Sequence, residues 1–519
     1  MIALLLATVS LAASALGASL RYQKPQPVNT TTCNGVKYEY HELAGYGLVV
    51  SDAIDKFGDT LGGLGSAIHI DRSTWKRLDN GSYSGVLWAL PDRGWNTQGT
   101  LNFNPRVHKF NIVFTPQPKA TVENPSGPNL SFEYLDTIAF TGPDGTPCTG
   151  LDADGSGHIS FPGFPELPAA TYTGDGFGGE GPGGKRISVD AEGLYVNDDG
   201  SFWVSDEYGP YIYLFDAEGK MLTAIKPNDA IVPFRNGTLS FSANSPPHYI
   251  NNGQGDSVNP QDPESGRDNN HGFEGLSVSE DGKTLWVLLQ AATVQEGGLE
   301  KQTQRYTRFL KYDVAERLAP AYAGEWVVPL PLFRDPEAKP SKNPKAAAQS
   351  ALHALPNGQF LVLARDSNAG RGAAAALSVY RQIDVVDVAR ATDLRAAAGR
   401  YDCAACAVAD PATGALDPAV VPADYCPFLD FNVDAQLNRF RLHNGGDQDS
   451  GLLNEKWESI AVVPADPARP NGEVFVFSLS DNDFITQNGF MNGGRFRYAD
   501  ESGYSLDSQA LVFKVRISQ

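Results

Sequence analysis

The chain has 519 residues, of which 41% are hydrophobic and 20% are charged, so it can bury a large core and is not disordered throughout. Its 53 glycines and 35 prolines favour turns and short strands over long helices. The formal net charge of −20 disfavours binding to nucleic acid, because an acidic surface repels phosphate backbones. This charge suits cation binding, and it is equally typical of soluble secreted proteins.

Residues 1–18 form an apolar run that ends in small residues, which is typical of a cleaved secretory signal. A membrane anchor is the alternative, but the run is short for a bilayer, and no later stretch is apolar enough to span one. We therefore predict a secreted protein in which residues 19–519 form a single domain. Sequons for N-glycosylation agree with secretion and occur at Asn29, Asn80, Asn129 and Asn236.

The chain has five cysteines, namely Cys33, Cys148, Cys403, Cys406 and Cys426. In an oxidising compartment this number predicts two disulfides and one free thiol, with the pairing left open. Cys403 and Cys406 have the spacing of a redox or zinc site. No second Cys or His pair stands at zinc-finger distance, so metal binding by this pair is the weaker interpretation.

A pattern recurs along the chain: a short strand, a turn of the Asp-Gly or Asn-Gly type, and a second apolar strand that ends in polar residues. Copies occupy residues 65–93, 192–206, 274–290, 353–366 and 458–482. Most copies are followed by another strand pair. This pattern predicts an all-β protein, a β-propeller of five to six four-stranded blades with long loop insertions. A β-sandwich pair is the alternative.

The closing blade is expected to combine residues 510–516 with an N-terminal strand near residues 38–48. Such a pairing of the two ends of the chain is a common way to complete a ring of blades. Long polar segments rich in Gly and Pro separate the strands and are expected to form surface loops.

The start of the first strand in a hairpin lies beside the end of the second strand. In a propeller, all of these positions face one mouth of the central channel, so their side chains are expected to converge there. Hard oxygen ligands gathered in this way suit a divalent cation, with Ca²⁺ as the best fit. The predicted metal ligands are Asp92, Glu192, Asp206, Glu274, Glu458 and Asp481.

Arg93 and Arg365 are expected at the same mouth, where they would bind a phosphate or carboxylate. His271, three residues before Glu274, is the predicted proton-transfer group. The alternative for every acidic residue of this set is structural, because Asp and Glu at hairpin ends often cap loops or pair with Arg across blades.

A second candidate cation site begins at Asp152 and matches the early positions of a calcium loop. Gly163 stands where that loop requires Glu, so a Gly-rich surface loop is the alternative. The chain has no Gly-x-Ser-x-Gly motif, which disfavours a conventional α/β-hydrolase esterase.

Several of these segments also carry a family resemblance, namely Leu90-Pro-Asp-Arg-Gly94, Arg186-Ile-Ser-Val-Asp190-Ala-Glu192-Gly-Leu, Trp203-Val-Ser-Asp206-Glu207-Tyr208-Gly-Pro and Asn270-His-Gly-Phe-Glu274-Gly-Leu. With them the chain resembles the phytase-like family, also described as "esterase-like activity of phytase". The resemblance implies a propeller-like fold and hydrolysis of phosphate or other esters. Phytate-like chemistry would resemble that of the calcium-dependent propeller phytases, in which metal ions neutralise phosphate charge.

Together these observations predict a secreted, metal-assisted hydrolase of phosphate monoesters or related esters. Its partner would be a small anionic or ester substrate, without nucleic acid or membrane. Two alternatives stay open: a non-catalytic propeller that binds a carbohydrate or a protein, and a lactonase-like enzyme with a carboxylate-bound divalent ion. The sequence is silent on oligomeric state.

Overall fold

The computed structural model describes residues 26–255, 258–335 and 342–518, which are almost entirely β-structure. The core of this part of the chain consists of three four-stranded antiparallel sheets and one eleven-stranded sheet, in which a single parallel bridge joins two antiparallel groups of strands. We number the three sheets and these two groups as sheets I to V in chain order. The all-β prediction is confirmed, whereas the propeller arrangement stays a prediction. The predicted secretory signal lies outside the described residues.

The strands follow one another from the first to the fourth position of each sheet, except in sheet V. Sheet I contains Ala67–Ile70, Tyr83–Leu90 (with Lys76–Arg77 paired to it), Arg106–Phe114 and Leu130–Ala139, and sheet II contains Ala191–Val196, Phe202–Asp206, Ile212–Phe215 and Met221–Ile225. Sheet III contains Phe273–Val278, Thr284–Leu289, Tyr306–Asp313 and Ala321–Pro329, and sheet IV contains Ala348–Ala354, Phe360–Arg365, Arg381–Asp387 and Asp424–Asp430. Sheet V contains Lys456–Trp457 with Ala461–Pro464 in the first position, then Glu473–Asp481, Ser508–Ile517 and Val36–Val49 (with Asn29–Cys33 paired to it).

The connecting loops carry small elements of their own. The short strands are His158–Ile159, Leu167–Tyr172, Gly184–Ile187, Phe234–Arg235, Thr238–Leu239, Leu332–Phe333, Lys345–Ala346, Gly489–Met491 and Phe496–Tyr498. The helical segments are the α-helix Asp434–Leu437 and the 3₁₀ turns Val294–Glu296, Leu394–Ala397 and Asn438–Phe440. The predicted loop segments 141–185, 227–270, 331–348 and 482–508 hold short elements, as expected. The predicted loop 395–450 was wrong in part, because it contains Asp424–Asp430, the fourth strand of sheet IV.

Sheet V joins the two ends of the chain. Its fourth strand, Val36–Val49, pairs antiparallel with its third, Ser508–Ile517. This pairing of an N-terminal with a C-terminal strand was predicted from the sequence and is confirmed. Sheet V also touches sheet I, because Gly47 forms a parallel bridge to Leu130.

The first hairpins of the sheets explain why the repeat is visible in the sequence. Strand Phe202–Asp206 is buried throughout, so it is apolar on both faces, as expected for a strand covered on both sides. The turns that precede the second strands contain Gly200, Gly282 and Gly358, with φ of +83°, +71° and +82°. Glycine enters this left-handed region readily, which explains the recurring Asp-Gly and Asn-Gly pairs.

Five hydrophobic clusters lie between successive sheets. Representative pairs are Leu90 with Val204 between sheets I and II, Leu214 with Val287 between II and III, Val328 with Val362 between III and IV, Leu363 with Val476 between IV and V, and Phe477 with Phe114 between V and I. Each sheet therefore contributes to two cores, and the last core returns to the first sheet.

Two disulfides and one free cysteine agree with the cysteine count. Cys33 pairs with Cys426 and Cys403 with Cys406, while Cys148 is a buried free thiol. The first disulfide ties the N-terminal end of sheet V to the fourth strand of sheet IV. The second disulfide closes a loop of a few residues. Because both sulfurs are in this bond, the pair does not bind a metal in this structure.

The two disulfides should differ in their effect on stability. The Cys33–Cys426 bond spans 393 residues, so replacing both cysteines by Ser should lower the free energy of unfolding by about 3–5 kcal/mol. The Cys403–Cys406 bond spans 3 residues, and its removal should cost about 2 kcal/mol or less. Thermal unfolding of both double variants without reductant tests this, and equal losses of stability would contradict it.

Candidate active site

The first strands of all five sheets line one cavity of 820 Å³. Near the start of each strand stands a glutamate or a serine that faces this cavity: Ser66, Glu192, Glu274, Ser350 and Glu458. A small residue follows each of them, and then a Leu or an Ile. We call these five residues the cavity ring.

A β-bulge explains why ring residues face the cavity. In sheets II, III and IV the pairing of the first two strands shifts by one residue at Glu192, Glu274 and Ser350. A bulged residue leaves the regular alternation of the ladder, and its side chain is redirected. A small residue must follow because the sheets approach closely here: a Cβ on Gly193 would lie 2.6 Å from the Glu274 carbonyl oxygen.

One predicted copy of the repeat was wrongly framed. The sequence interpretation began the sheet IV copy at His353, whereas the ring residue of that sheet is Ser350. His353 lines the cavity three residues further along the strand. Ser350 carries a hydroxyl where the copies of sheets II, III and V carry a carboxylate, so the acidic pattern does not mark the start of this strand.

Three buried carboxylates from sheet II form the first acidic cluster, which we call the open triad. It consists of Asp190, Glu192 and Glu207, each with a carboxylate oxygen within 4.8 Å of the others. Asp190 precedes the first strand, Glu192 occupies the bulge, and Glu207 follows the second strand. The Glu207 amide donates to the Asp190 carbonyl at 2.9 Å, which fixes the two segments together.

Four carboxylate oxygens at this place are buried without a hydrogen-bond partner among the described residues. Asp190 Oδ2 and Glu458 Oε2 still have a cation near them, Arg93 Nη1 at 3.0 Å and Lys456 Nζ at 3.8 Å. The other two have no ion pair among these residues. They are Glu207 Oε1 and Glu274 Oε2. The other oxygen of Glu274, Oε1, accepts a hydrogen bond from Gln290 Nε2. Leaving a charged acceptor buried and unpaired is costly, so these oxygens call for a cation or a proton.

The pKa values reflect the same crowding. Burial, reinforced by the neighbouring Asp190 carboxylate, raises the pKa of Glu207 to about 8. Burial and then the surrounding carboxylates also raise the pKa of Glu192 and of Glu274 well above the usual range. A proton and a cation would therefore compete for these carboxylates.

The donor set fits a hard divalent cation. Only carboxylate oxygens converge in the open triad, and such ligands suit Ca²⁺, Mg²⁺ or Mn²⁺. Of the six predicted metal ligands, Glu192 is in the open triad and Glu274 is a neighbouring ring residue. Asp190 and Glu207 are further candidate ligands that the sequence did not predict, although Glu207 directly follows Asp206 and Asp190 lies two residues before Glu192.

Arg93 lies against the open triad. Its Nη1 is 3.0 Å from Asp190 Oδ2, and its backbone amide donates to Asp190 Oδ1 at 3.2 Å. Its Nε has no hydrogen-bond partner in the described part of the chain. The predicted anion-binding arginine therefore lies beside the carboxylates, and its Nε is an unused hydrogen-bond donor.

Asp206 has a structural role in place of the predicted metal ligation. Its Oδ1 accepts from the amides of Asp190 and Tyr208, at 2.8 and 3.1 Å. Its Oδ2 accepts from the Gly209 amide at 3.0 Å and from the Tyr213 hydroxyl at 2.9 Å. Four donors use the acceptor capacity of this buried carboxylate, so the next residue, Glu207, supplies the free oxygen.

The second acidic cluster already contains a cation. Asp92, Asp481 and Asp483 have carboxylate oxygens within 4.8 Å of one another, and we call them the lysine triad. The Lys456 Nζ lies 2.7 Å from both Asp481 Oδ2 and Asp483 Oδ1. The predicted metal ligands Asp92 and Asp481 are thus grouped around an ammonium ion.

The charge of Lys456 is firmly held. Burial lowers its pKa, but the carboxylates of Asp481 and Asp483 outweigh burial and raise the pKa well above the usual range. For Asp481, burial is the larger influence and raises its pKa to about 7 against the opposing effect of Lys456.

Arg365 and Glu458 pair with each other. Arg365 Nη2 donates to Glu458 Oε1, and the second arginine nitrogen, Nη1, lies 3.9 Å from Glu455. The predicted anion-binding arginine of sheet IV therefore neutralises the ring glutamate of sheet V. This is the alternative, structural pairing across neighbouring sheets that the sequence also allowed.

His271 lies on the segment that leads into the ring. Its side chain is 26% exposed, and its Nδ1 is 3.4 Å from Asp268 Oδ2. The next residue packs tightly on the open triad, since a Cβ on Gly272 would lie 2.6 Å from the Glu207 carbonyl carbon. His271 is therefore placed next to the site by the chain, with a carboxylate that can orient its ring.

The carboxylates of the second predicted calcium site accept hydrogen bonds from neighbouring segments of the chain. Asp152 Oδ1 accepts from the Ala243 amide at 2.6 Å, and its Oδ2 accepts from Ser242 Oγ and the Ser245 amide. Asp154 accepts from the amide and the hydroxyl of Thr171. Asp152 therefore binds the loop around residues 242–245, and Asp154 binds the strand Leu167–Tyr172, as expected for the alternative of a structural loop.

A protein family model decides the relationship of this chain: the family described as "Phytase-like: Esterase-like activity of phytase" matches residues 60–484. The chain belongs to the phytase-like family. The matched range contains the open triad, the lysine triad and the cavity ring. The resemblance drawn from the sequence is therefore confirmed.

A fungal relative supports the location of this phytase-like protein. An uncharacterized secreted protein of Arthroderma benhamiae is 54% identical over 469 residues, which is 89% of this chain and 90% of that protein. The predicted secreted location is confirmed by this relative. No helix in the described part of the chain is both long and apolar enough to cross a membrane.

Solved structures give only distant likenesses. A luciferin-regenerating enzyme is 12% identical with a TM-score of 0.26, over 91% of this chain and 95% of its own. A putative 6-phosphogluconolactonase from Bacteroides fragilis is 12% identical with a TM-score of 0.22, over 76% of this chain and 93% of its own. Scores this low support no inference about the phytase-like chain.

The four predicted glycosylation sites of the phytase-like protein differ in their surroundings. Asn29, Asn80 and Asn236 are exposed. Asn129 is partly buried: its Nδ2 donates to the carbonyls of Ala44 and Thr115, and its Oδ1 accepts from the Tyr46 amide. A glycan on Asn129 would replace these hydrogen bonds, and the Nδ2 atoms of Asn29 and Asn236 also donate, to the carbonyls of Phe428 and Asn259. All four glycosylation sites stay predictions.

The Glu207→Gln variant should change the pH dependence of stability. The pKa of Glu207 rises from 4.5 to about 8 on folding, so in the metal-free protein the folded state keeps a proton that the unfolded chain loses first. Its contribution therefore lowers stability as the pH rises through this window. In EDTA, we expect the melting temperature of the variant to fall less than that of the wild type as the pH rises from 4.5 to 8. Identical slopes would contradict this.

Asp206→Asn should destabilise the protein at every pH in that range. An amide cannot accept hydrogen bonds at both of its heavy atoms, so donors from Gly209 and Tyr213 lose their partner, with a loss of about 2–4 kcal/mol. Denaturant unfolding measures the loss. The control is Asp198→Asn, an exposed residue of the same sheet, which should stay near the wild type. An Asp206→Asn variant as stable as the wild type would contradict the structural role of Asp206.

Proposed function

We propose that this secreted phytase-like protein is a five-bladed propeller that binds a divalent cation at the open triad and hydrolyses a phosphate monoester or a related ester there. The observation that carries the proposal is the pair of buried, unpaired carboxylate oxygens on Glu207, a member of the triad, and on the neighbouring Glu274.

The propeller is supported by the way the sheets share their cores. Each of the five hydrophobic clusters belongs to two successive sheets, and the cluster with Phe477 and Phe114 connects the last sheet to the first. The first strands of all five sheets line the same cavity. A ring of five blades around a central channel accounts for both features.

The cation site is supported by the chemistry of its donors. Asp190, Glu192 and Glu207 would hold the ion, with Glu274 next to them, and Ca²⁺ fits this all-oxygen set best. When bound, such an ion would neutralise the carboxylates and the charge of a substrate, and it would polarise the ester bond.

The remaining roles belong to residues of the chain. Arg93, which is held by Asp190, has a free Nε that can donate to an oxygen of the substrate. His271, with Asp268 beside its ring, is the group proposed to transfer a proton. Arg365 acts through its pair with Glu458, so it fixes a ring glutamate and contacts no substrate in this proposal.

A lactonase-like or carboxylic-ester hydrolase is the second candidate, and the limited supply of free cationic donors favours it. Arg365 is neutralised by Glu458, and Lys456 by Asp481 and Asp483. Arg267 is buried and donates to main-chain carbonyls such as that of Tyr208. A highly phosphorylated substrate needs several free cationic groups, whereas an ester or lactone of low charge does not.

The test combines metal analysis with turnover. The purified protein should contain one calcium per chain and should hydrolyse at least one of p-nitrophenyl phosphate, p-nitrophenyl acetate or a δ-lactone, with loss of activity in EDTA. Glu207→Gln should reduce both calcium binding and turnover about 100-fold while the protein stays folded. Glu300→Gln, an exposed residue, serves as the matched control.

The outcomes separate the candidates. Phosphate turnover supports the first candidate, and turnover restricted to the acetate or lactone supports the second. Bound calcium without any turnover would favour a non-catalytic propeller that binds a carbohydrate or a protein. A protein that binds no divalent cation would reject the open triad as a cation site.

A further inference from the structure

The two acidic triads are similar in composition but differ in what neutralises them. Each brings three carboxylates within 4.8 Å of one another. The open triad has Glu207 without a hydrogen-bond partner for its side chain among the described residues. The lysine triad has an ammonium ion in contact with two of its members, at 2.7 Å from each.

Lys456 stands at the position in sheet V that Asp190 occupies in sheet II. Both residues lie two places before a ring glutamate, in Lys456-Trp-Glu458 and in Asp190-Ala-Glu192. The chain therefore adds a negative charge beside the ring in one sheet and a positive charge in the other. The lysine side chain is 23% exposed, and its Nζ also lies 3.8 Å from Glu458 Oε2.

We propose that Lys456 is a built-in cation that fills the lysine triad, so that the acidic centre accepts one divalent ion instead of two. Asp92, Asp481 and Asp483 would otherwise offer the same kind of all-carboxylate set as the open triad. The single ion at the open triad rests on the proposed function, whereas the role of Lys456 rests on its own contacts.

The physical reason is the cost of uncompensated buried charge. Without the ammonium, three carboxylates, of which Asp92 and Asp481 are buried, would face one another with no cation between them. Their hydrogen bonds from Gly94, Asn96 and the Asp483 amide come from neutral donors and do not cancel this charge. The carboxylates must then take up protons or an external cation. A covalently attached cation avoids this and cannot dissociate, so the lysine triad stays neutralised when divalent ions are scarce.

The charge can be removed while most of the side-chain length is kept. In Lys456→Met, titration of the full-length, metal-stripped protein with CaCl₂ should give two calcium ions per chain, against one in the wild type. Lys456→Arg keeps the charge and should still bind one. Lys456→Met combined with Asp483→Asn should return to one, because a ligand of the new site is lost.

Stability supplies a second readout. Added calcium should raise the melting temperature of Lys456→Met more than that of the wild type. If Lys456→Met is secreted poorly, calcium in the medium should restore its yield, and the double variant should not be restored. A poor yield that calcium leaves unchanged would count against the proposal.

The stoichiometries separate this inference from the proposed function. A wild type that binds no calcium and a Lys456→Met variant that binds one would reject the open-triad site and support the role of Lys456. A wild type that binds two ions, or a Lys456→Met variant that gains none, would overturn the role of Lys456.

Discussion

The close approach of five first strands is the constraint on which the other features depend. Where sheets II and III meet, a single added carbon on Gly193 would collide with the backbone of Glu274. The same position holds Gly275 in sheet III, Ala67 in sheet I, Ala351 in sheet IV and Ser459 in sheet V. Small residues here let neighbouring sheets pack along their inner edge, and each leaves the preceding ring residue facing the shared cavity.

This packing concentrates negative charge in a poorly solvated place. Carboxylates of three sheets meet at the ring, and cationic side chains neutralise some of them but not others. Sheet V brings Lys456, sheet IV brings Arg365, and sheet I brings Arg93. Glu207 and Glu274 each keep one buried oxygen without a partner among the described residues. Because a stable interior normally pairs its charges, an exception at one place is more informative about function than the number of acidic residues.

The sequence predicted the parts of the fold that depend on local patterns. Strand, turn and strand recur with apolar runs and glycine turns, and the pairing of the chain ends follows from an incomplete unit at each end. The site was predicted only in part. Glu192 and Glu274 were found because the bulge repeats as Glu-Gly-Leu. The roles of Asp206 and Glu207 could not be separated, because they depend on which of two adjacent carboxylates receives the loop amides.

The role of Lys456 was also out of reach of sequence patterns. Its partners Asp481 and Asp483 come from the other end of a hairpin, and Asp92 comes from sheet I. Strand pairing within sheet V places Lys456 opposite Asp481, whereas only the meeting of sheets V and I adds Asp92. The pairing of Arg365 with Glu458 has the same origin, since it joins the second strand of one sheet to the first strand of the next.

The Cys33–Cys426 bond has a consequence for how the secreted chain is made. The first strands to leave the ribosome belong to sheet V, whose other strands are the last to be synthesised. The edge of strand Val36–Val49 that later pairs with Ser508–Ile517 therefore stays unpaired during most of synthesis. Cys426 precedes the rest of sheet V, so oxidation can fasten the waiting segment to sheet IV before its partner strand Ser508–Ile517 exists. The covalent bond would hold the early strand in its place during export.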